Sequence, residues 1–470
     1  MRIHIVGRGE TLLTIAKKTG LSAARLAAEN GLTPSSRTTE GQSLLYTRPA
    51  RSRAVRHGEK AEDLCRVEGI TTRRLLRLNP ALEADGRLSP GEEVAVAAGG
   101  APFGSLSVFG WLSARAEADD PLPSLPYLTC LVCEGCRFTE EGILAPAAVR
   151  RLRDRHPSLM PALWAAVDAE TLSALLRRGC TGKLSVMLRD AGFEGLCIVC
   201  GDAGMVYGAP CSAAGAVPLA SPARKYGEGT AQGTGGEAAG RSDGRTGKQV
   251  AKSGRQVEKS ERPATKSGQQ NAENERQATK SGQLESRLLW HDFALLYELL
   301  TDAGMGMCAV IPENGAADVG SSPVPCLLRN TECESVSTVC RRIGASDAAL
   351  RRRLLWPRLP DSAVCSSLWP DGTRKEERVD LRQIPSLAAR FRPVIRREEG
   401  GASFSYRTRA GRQAIRHDLY FEDAFSLSEG LYGMNRCGIG GVWCDAVRVP
   451  RWMLYMLSAC YEIVDPPART

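Results

Sequence analysis

An internal repeat sets the strongest constraint on what this chain can fold into. His4-Ile5-Val6-Gly7-Arg8-Gly9-Glu10-Thr11-Leu12 returns 49 residues later as Arg53-Ala54-Val55-Arg56-His57-Gly58-Glu59-Lys60-Ala61. The register persists: Gly9 to Asn30 and Gly58 to Asn79 are both 21 residues, and Gly41-Gln42-Ser43-Leu44-Leu45 corresponds to Gly91-Glu92-Glu93-Val94-Ala95. A repeat this short describes one supersecondary unit used twice. Each copy reads as a strand, a Gly-Glu turn, two short amphipathic helices (Leu12, Ile15, Ala16, then Ala23, Leu26, Ala27), an Asn turn and a return strand, which predicts β-α-α-β.

The Gly-Glu-Thr-Leu…Ile-Ala…Leu…Asn pattern resembles LysM, a module that binds N-acetylglucosamine chains of peptidoglycan and chitin. Modules are expected at 1–48 and 51–98, with Lys60 and Ala61 departing from the pattern in the second. The resemblance implies a glycan groove between two loops. In the first copy these are Gly9, Glu10, Thr11 and Leu12 facing Asn30, Gly31 and Leu32; in the second, Gly58, Glu59 and Lys60 facing Asn79, Pro80, Ala81 and Leu82. A purely structural reading stands beside it, because Glu10 suits a helix N-terminus and Asn30 a helix C-cap.

Beyond Ala97-Ala98-Gly99-Gly100, short apolar runs alternate with helical ones, as in an α/β barrel. Leu106–Leu112, Tyr127–Val132, Ala162–Val167 and Gly195–Gly201 are the expected first four strands, with helices over 169–178 and 182–191. The tail then carries Phe404-Ser405-Tyr406, Arg416-His417-Asp418-Leu419-Tyr420-Phe421-Glu422-Asp423-Ala424 and Gly438-Ile439-Gly440-Gly441-Val442. These resemble "F-x-Y", "H-x-V-W-F-E-D-A" and "G-x-G-G" of the family 18 glycosidases, in particular the LysM-LysM-barrel enzymes that digest spore cortex. The expected fold is therefore α/β: two LysM modules and a (β/α)8 TIM-type barrel, its halves at 102–211 and 288–470.

In that family the fourth strand carries D-x-x-D-x-D-x-E, whose last Glu protonates the glycosidic oxygen while the substrate's acetamido group attacks, so no second protein carboxylate serves as nucleophile. The resemblance puts Glu194, Cys197, Val199 and Gly201 at those four positions. Residues 197, 199 and 201 share one side of a strand. Asp202 is one residue late and falls on the opposite face unless a bulge intervenes. No counterpart of the sixth-strand Met-x-Tyr-Asp is visible between 312 and 380, and Trp443 stands two residues before the family's sugar-stacking tryptophan, with the same facing.

Glu422 and Asp423 read as caps of a following helix, and His417 as a structural histidine. Cys130-x-x-Cys133-x-x-Cys136 and Cys197-x-x-Cys200 place i, i+3 thiols on opposite faces of a strand, a poor chelate. No metal or cofactor is expected, and most of the sixteen cysteines read as reduced core residues. Residues 212–287 read as a disordered basic insert, rich in Gly, Ser, Gln and Lys, with Lys-Ser-Gly recurring at 252, 266 and 280.

Charge adds one restriction. Of the net +9, residues 1–100 carry 16 basic against 11 acidic residues and residues 224–287 carry 13 against 8, leaving the barrel near neutral. That distribution argues against a dedicated nucleic-acid reader and is compatible with an anionic cell-wall polymer. No apolar run is long enough for a membrane span, and no secretory segment precedes the first repeat.

The expectation is a peptidoglycan-binding protein with an inactive glycosidase-like barrel, made in a mother cell and delivered to the spore envelope. Two alternatives stay open: an active N-acetylglucosaminidase with a relocated acid, and a spore-coat assembly protein whose partners dock on the basic insert.

Overall fold

The computed structural model describes residues 1–82, 87–114, 123–200, 293–312, 324–329, 334–345 and 349–466. Gly201, Asp202 and the segment 212–287 lie outside the described residues.

Both repeats fold as β-α-α-β. The first is β1 (Arg2–Ile5), α1 (Leu12–Thr19), α2 (Ala23–Glu29) and β2 (Ser43–Tyr46); the second is β3 (Arg51–Ala54), α3 (Ala61–Glu68), α4 (Thr72–Leu78) and β4 (Glu93–Ala97). In each the two strands pair antiparallel. Gly9 and Gly58 both need glycine, at φ 78° and 74°, to turn the chain out of the first strand.

Eight parallel strands then form a barrel: β5 (Ser105–Leu112), β6 (Cys130–Cys133), β9 (Ala162–Asp168), β10 (Gly195–Val199), β11 (Gly306–Pro312), β12 (Cys326–Arg329), β13 (Leu355–Trp356) and β19 (Gly441–Asp445). A small hairpin, β7 (Arg137–Phe138) with β8 (Ile143–Leu144), leaves the wall after β6. β19 pairs with β5. The remaining seam closes through a parallel bridge between Arg358 and Trp443, where the Trp443 N–H donates to the Pro357 carbonyl at 3.1 Å and the Leu359 N–H to the Trp443 carbonyl at 2.8 Å. Around the wall run α5 (Ala147–Arg155), α6 (Ala169–Arg177), α7 (Leu184–Asp190), α8 (293–302), α9 (Val336–Gly344), α10 (Ala349–Leu354), α12 (Ala424–Cys437) and α13 (Arg451–Cys460). A last strand, β20 (Glu462–Ile463), joins the start of β5.

Strand parity sorts the barrel residues as a period of two requires. Phe109, Cys130, Val132, Ala162, Ala166, Cys197, Cys308, Val310, Leu327, Trp356 and Trp443 form an interior cluster, with Trp164 and Val199 packed against it. Leu131, Cys133, Leu163, Leu196, Ile198 and Cys200 belong instead to the core under the helices. Phe109 lies edge-on between Trp164 and Trp356, at 4.9 and 4.8 Å between centroids. Glycines make room for these rings: a Cβ at Gly195 would lie 2.6 Å from Trp164, and Gly306 is pressed by the same ring.

Between β13 and β19 the chain builds a five-stranded antiparallel sheet that the sequence reading did not anticipate, in the order β15-β14-β18-β17-β16. Its strands are β14 (Ser362–Leu368), β15 (Arg374–Asp380), β16 (Arg396–Glu398), β17 (Gly401–Ala410) and β18 (Gln413–Phe421), with α11 (Ile384–Phe391) beside them. Residues 312–380, which matched nothing in the resemblance, supply two barrel strands and the first hairpin of this sheet. The second strand also begins later than expected, because Leu125–Tyr127 forms a 3-10 turn ahead of Cys130.

Candidate functional site

The repeat loops are braced alike. Glu10 takes the Gly7 N–H at 2.8 Å and bonds His4 at 2.7 Å and Lys18. Hydrogen bonds from Lys18, Gly7 and His4 hold its carboxyl down at about 2. Glu59 does the same in the second repeat, taking the Arg56 N–H at 2.9 Å and pairing with Arg53. Asn30 donates to the Leu26 and Leu45 carbonyls and accepts the Leu45 N–H, tying the end of α2 to β2. Asn79 repeats this with Leu75 and Ala95. These four side chains therefore spend their polar groups within the module.

The other loop residues divide between surface and packing. Gly9 and Thr11 are exposed, and Thr11 forms a reciprocal capping box with Thr14 at the start of α1. Lys60 holds the equivalent cap position of α3 without a side-chain cap bond, while Gly58 is exposed. Leu12 and Leu32 meet in the small core of the first repeat. Gly31 is exposed at its backbone but leans on Trp452, to which a Cβ would come within 3.2 Å. Pro80 and Leu82 are buried, Ala81 is exposed, and the Leu82 carbonyl accepts from Arg451 at 3.3 Å.

Both repeats pack on the barrel, flanking α13. From the first, the fully buried Glu29 accepts from Tyr455 at 2.8 Å and pairs with Arg25 at 2.9 Å; Ser43 donates to Asp423 at 2.6 Å, and the Glu40 carbonyl accepts the Ile395 N–H at 2.9 Å. From the second, Arg77 reaches the Pro126 carbonyl and Asp465, and Arg73 reaches the carbonyls of Leu128 and Met160.

In the barrel mouth, Cys197 and Val199 face the axis, side by side with Cys308 and Val310 on the neighbouring strand β11. Glu194 sits half-buried just before β10, its N–H on the Leu163 carbonyl at 2.7 Å. At the rims of β9 and β19, Asp168 and Asp445 continue the inward series, and both brace backbone. Asp168 caps α6 through Thr171 at 2.7 Å; although burial opposes it, these bonds keep its carboxyl below the ordinary range. Asp445 accepts the N–H groups of Val447 and Arg448, each at 2.9 Å. Burial pushes the Cys130 and Cys308 thiols well up, so they stay protonated. Asp168 and Asp445 are thus committed to backbone groups at the rim, and the Cys130 and Cys308 thiols to their protonated form.

Trp443 is 6% exposed. Its indole N–H donates to the Leu328 carbonyl at 2.9 Å, and the Arg358 guanidinium lies 5.2 Å from its ring centroid. The ring thus serves the closing seam of the barrel. Asp423 caps α12 through Ser426, as the sequence implied, but Glu422 takes the Val336 N–H at 2.9 Å and so caps α9. Burial raises Glu422 to about 8, yet it stands outside the barrel. His417 uses both ring nitrogens, on Ser367 and Thr408, and stacks on Tyr406. Cys130 and Cys197 face the axis while Cys133 and Cys200 face the helices, so neither Cys130 with Cys133 nor Cys197 with Cys200 converges.

Residues 4–45 match the LysM domain family. No curated protein matches the chain. Among solved structures, the spore cortex-lytic enzyme SleL of Bacillus megaterium is similar at a TM-score of 0.57 and 12% identity over 98% of both chains. SleL of Bacillus cereus is similar at 0.58 and 12%, over 98% of this chain and 99% of its own. At that identity the likeness concerns the fold: a LysM domain near the N-terminus followed by a TIM-type barrel.

Proposed function

We propose that this chain binds peptidoglycan through its LysM repeats and uses the glycosidase-type barrel as a non-hydrolytic scaffold. The observation that carries the reading is strand β10. The side chains it turns toward the axis are Cys197 and Val199, where the family resemblance expects carboxylates, and the residue that the resemblance puts at the acid's position is Gly201, which has no side chain to give a proton. The rings of Phe109, Trp164 and Trp356 fill the axis beside them.

The ligand class is a polymer containing N-acetylglucosamine. Its contact surface in the first repeat comprises the exposed Gly9 and Thr11, the backbone of Gly31, and Leu32; in the second it comprises Gly58, Lys60 and Ala81. The spore cortex as the setting, spore-coat proteins as further partners and the mother cell as the place of synthesis are carried over from the sequence resemblance to the LysM-LysM-barrel cortex enzymes.

The test pairs sedimentation with insoluble cortex peptidoglycan and a turnover assay on the same material and on chitin oligomers. Binding without product release is the expected result. Turnover that disappears in Asp202→Ala would establish an active enzyme with a relocated acid instead.

A further inference from the structure

The first LysM repeat does not end at its own surface. Where α2 and β2 meet the barrel, a crevice with a cavity of about 70 Å³ opens between three elements. Asn30, Gln42 and Ser43 line it from the repeat, Ile384 and Ala388 from α11, and Trp452 from α13. Ile395 and Phe421 add to its apolar wall. The volume suits a group of a few heavy atoms and is too small for a hexose ring.

Two of its polar groups have work left to do. Gln42 uses its side-chain oxygen to accept the Thr39 N–H at 3.1 Å, and among the described residues its amide nitrogen takes no partner. The Trp452 indole N–H likewise takes none among them, while its ring edge rests on Gly31. Asn30 and Ser43, by contrast, are fully engaged, with Leu26, Leu45 and Asp423. The crevice therefore combines apolar walls with polar groups of both kinds, the N–H groups of Gln42 and Trp452 and the carboxyl groups of Glu422 and Asp423, which matches an acetamido group: a methyl to bury, and a carbonyl oxygen and an N–H to satisfy.

We propose that the first LysM repeat and the barrel form one composite glycan site, in which this crevice receives the acetamido group of an N-acetylhexosamine residue next to those held by the LysM loops. The inference rests on the glycan-binding reading above. Continuity carries it: Gly31 belongs to the LysM loop and touches Trp452, and Asn30 borders both loop and crevice. The two walls are also fixed relative to each other, by the Glu29–Tyr455 and Ser43–Asp423 bonds and by the Glu40 carbonyl on Ile395, so the crevice is present before the ligand arrives.

The test is calorimetric titration of the full chain with chitopentaose. Trp452→Ala is expected to weaken binding about tenfold, as loss of an aromatic contact at a binding surface does, and Gln42→Ala several-fold. Thermal melts check that each variant is folded; if Trp452→Ala is not, Gln42→Ala, at a partly exposed position, decides alone. Wild-type affinity in the folded variants overturns the crevice while leaving LysM binding intact. Failure of the unaltered chain to bind chitopentaose overturns both.

Discussion

The Tyr455 hydroxyl lies 2.8 Å from Glu29 Oε1, joining residues 426 positions apart, and the Thr47 hydroxyl stands 2.6 Å from the same phenol. Glu29 is fully buried, and burial raises its carboxyl although Arg25 opposes the shift. Tyr455→Phe removes one donor from a buried acceptor and should cost about 1–3 kcal/mol. The check is urea denaturation together with amide exchange in α2, which should accelerate more than exchange in α4.

Stability should also fall as pH rises, through Glu422. Its folded value of about 8 exceeds the ordinary 4.5, so between those values the native state holds more protons than the unfolded one. The native state is therefore favoured at and below about pH 4.5, and the advantage is progressively lost up to about pH 8. Glu422→Gln keeps an oxygen for the Val336 N–H and removes the charge. Unfolding at pH 8.5 should show it more stable than wild type by a few kcal/mol, with the gap closing toward pH 5.

Gly306→Ala tests the packing of the barrel axis. The new methyl would meet the Trp164 ring, which is held in turn by Phe109. Overpacking of this kind should cost about 1–3 kcal/mol. A lower melting temperature with an altered near-ultraviolet dichroism signal is the expected outcome.

Asn30→Ala and Thr11→Ala separate architecture from contact in the first repeat. Loss of the Asn30 amide leaves the Leu45 N–H and two carbonyls without partners, at about 1–3 kcal/mol each as an upper range. Thr11 is exposed, and its loss removes one cap worth about 1 kcal/mol. Asn30→Ala should lower glycan affinity in step with melting temperature. Thr11→Ala should lower affinity with a smaller effect on stability, as read by titration and melts on both variants.

The sequence exposed features that repeat or alternate. Gly9 and Gly58 mark turns requiring positive φ, and Leu196, Cys197, Ile198 and Val199 alternate strictly between helices and axis. Long-range burial left no such trace. Glu29, Arg73 and Arg77 look like ordinary surface charges of short helices, yet they are 0%, 5% and 8% exposed because the barrel covers them. Arg374–Asp380 reads as a charge run with no apolar stripe and becomes a strand only by pairing residue for residue with Ser362–Leu368. Gln42 and Trp452 carried no signal, since a crevice shared by segments 410 residues apart has no local pattern.

Because α13 is gripped from both sides, the two repeats and the barrel respond to force as one piece. Glu29, Ser43 and Gly41 are each bonded across the junction, to Tyr455, Asp423 and Arg397, so the short Thr47–Ala50 connection is not the sole tie between the first repeat and the rest of the chain. The other repeat is tied through Arg73 and Arg77. A polymer held at both repeats, as proposed above, would meet a stiff strut rather than a pair of hooks on a string.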